Sequence, residues 1–344
     1  MISVEEKETL LNNLKCYSLN SYTIECIIQY ANISTDIFNI DHSILIKNLS
    51  NNIKKDIVFK KKYYLFSSVL GSYNFKSKQI MISPKLKNEQ HILSIIFHEL
   101  DHAASTHYIK SENINEYLST YVRRLNNKHP ILFKIPFVKY ILKKRFLRLN
   151  SLSCGFNNIL AGKALGVDLN LFKEGITTYK QSKYEQYLHL SDRITTQENN
   201  YKNEMKVAQL IINIIGEERT MKLEQNNDVL GLKTLFEKIT KKQVLFEDLI
   251  QQLNNTSIES RRILENQKEL NATMQKIILC KKAYDYNIDI GTSNLSLAEI
   301  QNIITSYEKN LKFKNDVKSC NSQNTCKRNK DFYTATDIAD SYNK

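Results

Sequence analysis

The run Ile92-Leu93-Ser94-Ile95-Ile96-Phe97-His98-Glu99-Leu100-Asp101-His102-Ala103-Ala104 carries two superimposed signals. Ile92, Ile96 and Leu100, with Leu93, Phe97 and Ala104, cover most of a helical surface, so this helix is expected to be largely buried. Within it His98, Glu99 and His102 spell H-E-x-x-H. Residues four apart share one helix face, about one turn along the axis. His98 and His102 can therefore offer two imidazole nitrogens to one metal ion. Glu99, beside the first of them, can reach a water held there. The pattern is that of two zinc ligands and a general base.

Outward from this run, the helix extends from about Glu89 to Thr106, with Asn88 as its cap. His91 falls in its first turn and reads as a surface residue. Residues 3 to 50 read as helices, opened by a capping box of Ser3 and Glu6. Between 56 and 83 the pattern changes. Ile57-Val58-Phe59, Tyr63-Tyr64-Leu65-Phe66 and Gln79-Ile80-Met81-Ile82 are β-prone, with turn signals at Gly71-Ser72 and Lys76-Ser77-Lys78. Two or three strands are expected, closed by Pro84. Downstream, Ile131 to Val138 reads as a strand pair or a loop, and Lys139 to Leu149 as an amphipathic helix. Val207, Leu210, Ile211 and Ile214 place a helix over 200–216 that stops at Gly216. Residues 228 to 285 are again helical, and Ser296 with Glu299 makes a second capping box.

A catalytic zinc site takes three protein ligands and leaves one position open. His107 lies five residues after His102, off the shared face. The metzincin pattern wants a third His six residues after the second, where this chain has Tyr108. Glu112 and Glu116 would need a sharp reversal directly after the helix, and read as surface residues. Glu174 is the better candidate. It opens Glu174-Gly175-Ile176-Thr177-Thr178-Tyr179, and a carboxylate on a second, antiparallel helix would complete a His-His-Glu set.

The pair His98-Glu99-x-x-His102 and Glu174-Gly175-x-Thr177 resembles the gluzincin branch of the zincin metallopeptidases, particularly bacterial members whose third ligand sits in an N-E-G-x-T-E segment. The resemblance covers roughly residues 65 to 216. It implies Zn²⁺ on His98, His102 and Glu174, Glu99 as general base, and a peptide or protein substrate. Lys173 stands where that segment has Asn, Thr178 where it has a second Glu, and Asp101 puts a charge inside the motif. A further donor should stabilise the oxyanion. Tyr179, Tyr184, Tyr187, His189 and Tyr201 are candidates, His189 first among them. Asp101 or Glu204 is placed to orient a ligand imidazole.

The expected fold is α+β and predominantly helical: zincin-like, with a small mixed β-sheet packed on the H-E-x-x-H helix and a helical C-terminal part. The strand near Gln79 to Ile82 would be the edge beside the cleft. The chain divides into an N-terminal helical region (1–55), a zincin-like metallopeptidase core (56–216), a helical C-terminal region (217–311) and a polar, flexible tail (312–344).

Composition bounds these readings. The 344 residues, 42% hydrophobic and 25% charged, are those of a globular chain with ample core. Abundant Asn, Ile and Lys with no Trp reflect an AT-rich coding sequence more than a function. The net charge of +13 is partly local, since Arg123 to Asn150 holds nine Lys or Arg and no acid. That segment, 123–148, reads first as a solvated Lys-rich surface with a basic helix packed on the domain by its apolar side, and otherwise as one that offers an acidic partner or an anionic membrane surface something to bind. No helix-turn-helix, zinc finger or aromatic-basic RNA motif is present, so no specific nucleic acid is expected. The alternatives to a peptidase are a non-catalytic zincin-fold regulatory or binding protein, and a basic protein of nucleic-acid or membrane surfaces. A polar N-terminus, no apolar run of transmembrane length and six scattered cysteines point to a cytoplasmic protein with reduced thiols, with non-classical export left open. Cys320 and Cys326 have no His nearby and are not read as a second metal site.

Overall fold

The structure, a computed structural model, describes residues 4–60, 70–149, 151–190, 201–256 and 263–327. Three helices open it: α1 (Val4–Lys15), α2 (Ser21–Phe38) and α3 (His42–Asn52). Asn20 and Asp41 cap α2 and α3 by accepting from backbone N–H groups of the first turn. A three-stranded sheet follows, from β1 (Val58–Phe59), β2 (Gly71–Asn74) and β3 (Gln79–Ile82). Its order is β1-β3-β2, with β1 parallel and β2 antiparallel to β3. The sheet is therefore mixed, as expected, but Gln79–Ile82 is its central strand and not its edge. The edge facing the next helix is β2, whose first residues read as a turn from sequence. Gly71 is in the strand because nothing larger fits: a Cβ there would stand 2.6 Å from Ile95 Cγ2 and 2.9 Å from Glu99 Oε1. The turn comes later, where Asn74 Oδ1 accepts from the N–H groups of Lys76 and Ser77. The β-prone run Tyr63–Phe66 and the Ser3 cap lie outside the described residues.

The central helix α4 (Glu89–Ser105) carries the H-E-x-x-H motif and begins as expected, with Asn88 Oδ1 accepting from His91 N–H. Ile95, Ile96, Phe97 and Leu100 are fully buried. The last carbonyls of α4 have no partner within the helix. Asn48 donates to Ala104 O at 2.7 Å, and Asn52 to Ala103 O and Thr106 O. Thus α3 caps the C-terminus of α4 from the side.

β4 (Thr106–Tyr108) leaves α4 directly and pairs antiparallel with β5 (Leu152–Cys154). Between them α5 (Ser111–Lys128), a 3₁₀ turn (Leu132–Lys134) and α6 (Pro136–Leu147) form a helical hairpin. Residues 131–138 are thus helical and not a strand pair, with Pro136 in the first turn of α6, where its missing N–H costs nothing.

The C-terminal half is helical: α7 (Ile159–Leu165), α8 (Asn170–Tyr187), α9 (Lys202–Ile215), α10 (Glu217–Gln225), α11 (Val229–Ile239), α12 (Phe246–Asn255), α13 (Ile263–Asp285) and α14 (Leu297–Lys327). Gly216 ends α9 at φ 101°, and Ser296 and Glu299 make the expected reciprocal cap of α14. One continuous apolar core runs from Leu10 to Ile277, and a small second cluster joins α13 to α14. The N-terminal helices and the helices after Gly216 therefore share the core of the central region. Helix α14 continues through 312–327, a stretch read from sequence as loose tail; residues 328–344 and the side chains of Cys320 and Cys326 lie outside the described part. The chain is α+β and predominantly helical, and among the described residues no helix is long and apolar enough to cross a membrane.

Candidate metal centre

Helices α4 and α8 pack face to face, and the contact brings together three donor atoms. His98 Nε2 and His102 Nε2 are 3.3 Å apart. Glu174 Oε2 lies 3.3 Å from the first and 3.5 Å from the second. Among the described residues this is the one group of three or more His, Cys, Asp or Glu side chains that could hold a metal ion. His98 is buried, whereas Glu174 is partly exposed, so one side of the triangle opens to solvent. Glu174 sits in the first turns of α8, as its sequence position implied.

The hydrogen bonds behind the imidazoles determine where their lone pairs point. His98 Nδ1 donates to Gln181 Oε1 at 2.9 Å. Gln181 is itself oriented, its Nε2 donating to Ser94 Oγ and to Glu185 Oε1 at 2.5 and 3.1 Å. His102 Nδ1 faces Cys154 Sγ at 3.5 Å, and the thiol donates to His102 O at 3.2 Å. With Nδ1 the protonated nitrogen in each ring, two Nε2 lone pairs and a carboxylate oxygen converge on one point. Three acceptors cannot share a site without a cation or a proton between them.

The titration behaviour agrees. Burial would lower the pKa of His102, but the Glu174 carboxylate and Cys154 outweigh it and raise it well above the usual imidazole value. Burial would raise Glu174, yet the two histidines hold it well below the usual carboxylate range. The donor set of two imidazoles and one carboxylate suits zinc chemically. The residues present thus fit the metal the sequence implied.

Glu99, the residue after His98, lies against β2. It is buried, accepts from Tyr73 N–H, and touches the space that Gly71 leaves free. Burial raises its pKa; the two histidines and the Tyr73 N–H pull it down, and Glu174 adds to the rise.

Of the five candidates for a further donor, Tyr201 lies at the site. Its ring stacks on that of His98, centroids 6.4 Å apart and planes 16° from parallel. Burial and the charges of Glu174 and Glu99 raise its phenol. The others are elsewhere. Tyr179 donates to Glu217, Tyr184 sits in the core against Ser34, and Tyr187 donates to Asp36. His189 is exposed beyond the end of α8. Fifteen residues of rise at 1.5 Å place it on the order of 20 Å along the axis from Glu174. His107 turns away from the centre, its Nδ1 donating to Ser105 O and its Nε2 accepting from Asn227. Glu112 and Glu116 are exposed.

Asp101 and Lys173, where the sequence departs from the gluzincin pattern it resembles, belong to a buried charge cluster within the same contact of α4 with α8. Asp101 accepts from Lys173 and Lys180, each at 2.9 Å, from Thr177 at 2.9 Å and from Tyr30 at 3.1 Å. Glu224 of α10 closes the cluster, pairing with both lysines at 2.5 Å. Asp101 therefore orients no imidazole, and it is not a surface charge. Glu204 is not hydrogen-bonded to an imidazole either. Its backbone carbonyl lies where α9 presses on α8, and a Cβ on Gly175 would stand 2.2 Å from that oxygen. The glycine of the Glu-Gly step is thus a packing requirement.

Compared with models of known protein families, with curated proteins and with solved structures, the chain matches none significantly.

Proposed function

We propose that the chain is a zinc-dependent metallopeptidase of the gluzincin type, hydrolysing peptide bonds with Glu99 as general base. The observation that supports this most is the donor triangle, with sides of 3.3, 3.3 and 3.5 Å between His98 Nε2, His102 Nε2 and Glu174 Oε2. Tetrahedral ligands at zinc bond lengths of about 2.0–2.1 Å stand about 3.3–3.4 Å from one another. The triangle thus has the dimensions of three corners of such a tetrahedron.

A zinc ion held there supplies the Lewis acidity that makes water nucleophilic near neutral pH and polarises a scissile carbonyl. The chain's own residues do the rest. Glu99 takes a proton from the attacking water and returns it to the leaving amine. Its buried, raised pKa suits a group that must both accept and release that proton. Tyr73 N–H fixes its carboxylate, and the missing side chain of Gly71 keeps room for it. Gln181 and Cys154 hold the two imidazole planes. The Tyr201 hydroxyl is the donor for the developing oxyanion.

The test is Glu99→Gln assayed on a peptide library. Bound zinc should be unchanged and cleavage reduced by roughly 10²- to 10⁴-fold. Full activity in the variant removes Glu99 as base. Stoichiometric zinc with no hydrolysis by the wild type leaves a non-catalytic metal-binding module instead.

A further inference from the structure

The hairpin between β4 and β5 is anchored at its root and bare at its tip. Phe146 is buried against Tyr121 of α5, ring centroids 4.9 Å apart, and Arg124 donates to the carbonyls of Ala164 and Lys163. Val138, Leu142 and Phe146, four apart, form the more buried side of α6. The other side and the tip are different. Ile131, Leu132, Ile135, Phe137, Tyr140 and Ile141 are all exposed, Ile131 to 77% and Phe137 to 66%. On α6, Phe137, Tyr140, Ile141 and Lys144 follow one another at helical spacing along the outward side. The Lys144 ammonium lies 5.9 Å from the centre of the Tyr140 ring. Besides Arg124 at the root, eight Lys or Arg and no acid lie between Arg123 and Asn150.

A contiguous exposed apolar patch of this kind marks an interaction surface. Its occupant must bury aliphatic and aromatic groups and neutralise dense positive charge at once. A second copy of the chain presents the same charge and is repelled. Nucleic acid matches the charge and can stack bases on Phe137 and Tyr140, but it offers the aliphatic Ile131, Leu132, Ile135 and Ile141 no partner. An anionic bilayer does both: its acyl boundary receives the apolar side chains, while Lys and Arg stems reach up to the headgroups. We propose that the α5–α6 hairpin docks this protein on an anionic lipid bilayer, with the tip and the outer side of α6 in the headgroup–acyl boundary. The peptidase reading is not needed for this. The hairpin is nevertheless rooted on the strand pair whose Cys154 touches His102, so docking would hold the metal centre near the membrane surface.

The experiment is co-sedimentation of the full chain with vesicles of phosphatidylcholine alone or mixed with phosphatidylserine. The chain should bind the mixed vesicles and not the neutral ones. Phe137→Ser/Ile141→Ser changes exposed positions and leaves the net charge as it is. It should lower the partition coefficient roughly tenfold, with an unchanged circular dichroism spectrum. Lys143→Glu/Lys144→Glu should do the same through charge. Absence of binding to the mixed vesicles overturns the proposal, and so does binding that the apolar double variant leaves intact. A concentration-dependent dimer abolished by that same variant also overturns it, assigning the face to a second copy.

Discussion

At the residue scale, the centre is a place where lone pairs meet. His98 Nε2, His102 Nε2 and Glu174 Oε2 are all acceptors once Gln181 and Cys154 have taken the Nδ1 protons. Glu174 and Cys154 raise the pKa of His102 against the opposing effect of burial, so protons compete with a metal ion for this ring. Zinc requires the neutral imidazole, so loading the metal-free protein at pH 7 should release protons, in a number that counts those displaced at the site. Titration calorimetry in buffers of different ionisation enthalpy measures that number. Affinity should fall as the pH is lowered; a proton count of zero would show that His102 is already neutral. His98, Glu99 and His102 were legible because their relation is local, four residues on one helix. Glu174 was legible as a candidate. Gln181 follows it at i+7 on the same helix and could have been found by that spacing. Cys154 had no such signal, because strand pairing of Thr106 with Cys154 brings it to His102.

At the scale of elements, the register of α8 on α4 depends on the buried cluster of Asp101, Lys173, Lys180 and Glu224. Asp101→Asn should destabilise the protein by about 3–5 kcal/mol, because it leaves two buried ammonium groups facing one carboxylate. Chemical denaturation of the metal-free chain measures this without the contribution of bound metal. Burial opposes the charge on Asp101, but the two lysines hold its pKa well below 3.8 in the folded state. Its contribution is therefore fully present above the unfolded value of about 3.9 and is lost as the pH falls through the folded one. Lys173 is likewise opposed by burial and raised well above 10.5 by Asp101 and Glu224. Its contribution persists until the pH rises through that value. The Asp101→Asn deficit should thus be constant between about pH 5 and pH 9, and a deficit that vanishes at neutral pH would contradict a paired cluster. The sequence held a clue here too. A helix apolar on nearly every side buries whatever acid it carries, and Lys173, Thr177 and Lys180 recur at helical spacing opposite it. The strand at Gly71 was hidden for the reverse reason: its glycine reflects the closeness of Ile95 and Glu99, which are remote in sequence.

At the scale of the whole molecule, α4 is buried along most of its length from Ser94 on, and the flanking regions complete its core. Phe172 of α8 packs on Phe156 and on Phe246 of α12, with ring centroids 5.5 and 5.8 Å away. Phe236, Leu249 and Leu253 are fully buried in the same core. Helical periodicity alone showed that these segments are helices but not which core they join, since that depends on contacts between distant parts of the chain. A chain truncated after Gly216 should therefore lose cooperative thermal unfolding, as followed by near-ultraviolet circular dichroism. A sharp transition in the truncated chain would make the C-terminal helices a separate unit. Every part of this architecture converges on one contact, the approach of Glu174 to His98 and His102, and metal content tests it most directly. Purified wild-type protein should carry one zinc per chain by elemental analysis, with His98→Ala and Glu174→Ala each folded and largely metal-free. Unchanged zinc in Glu174→Ala would contradict the assignment of the third ligand, and no zinc in the wild type after incubation with the metal would contradict the centre itself.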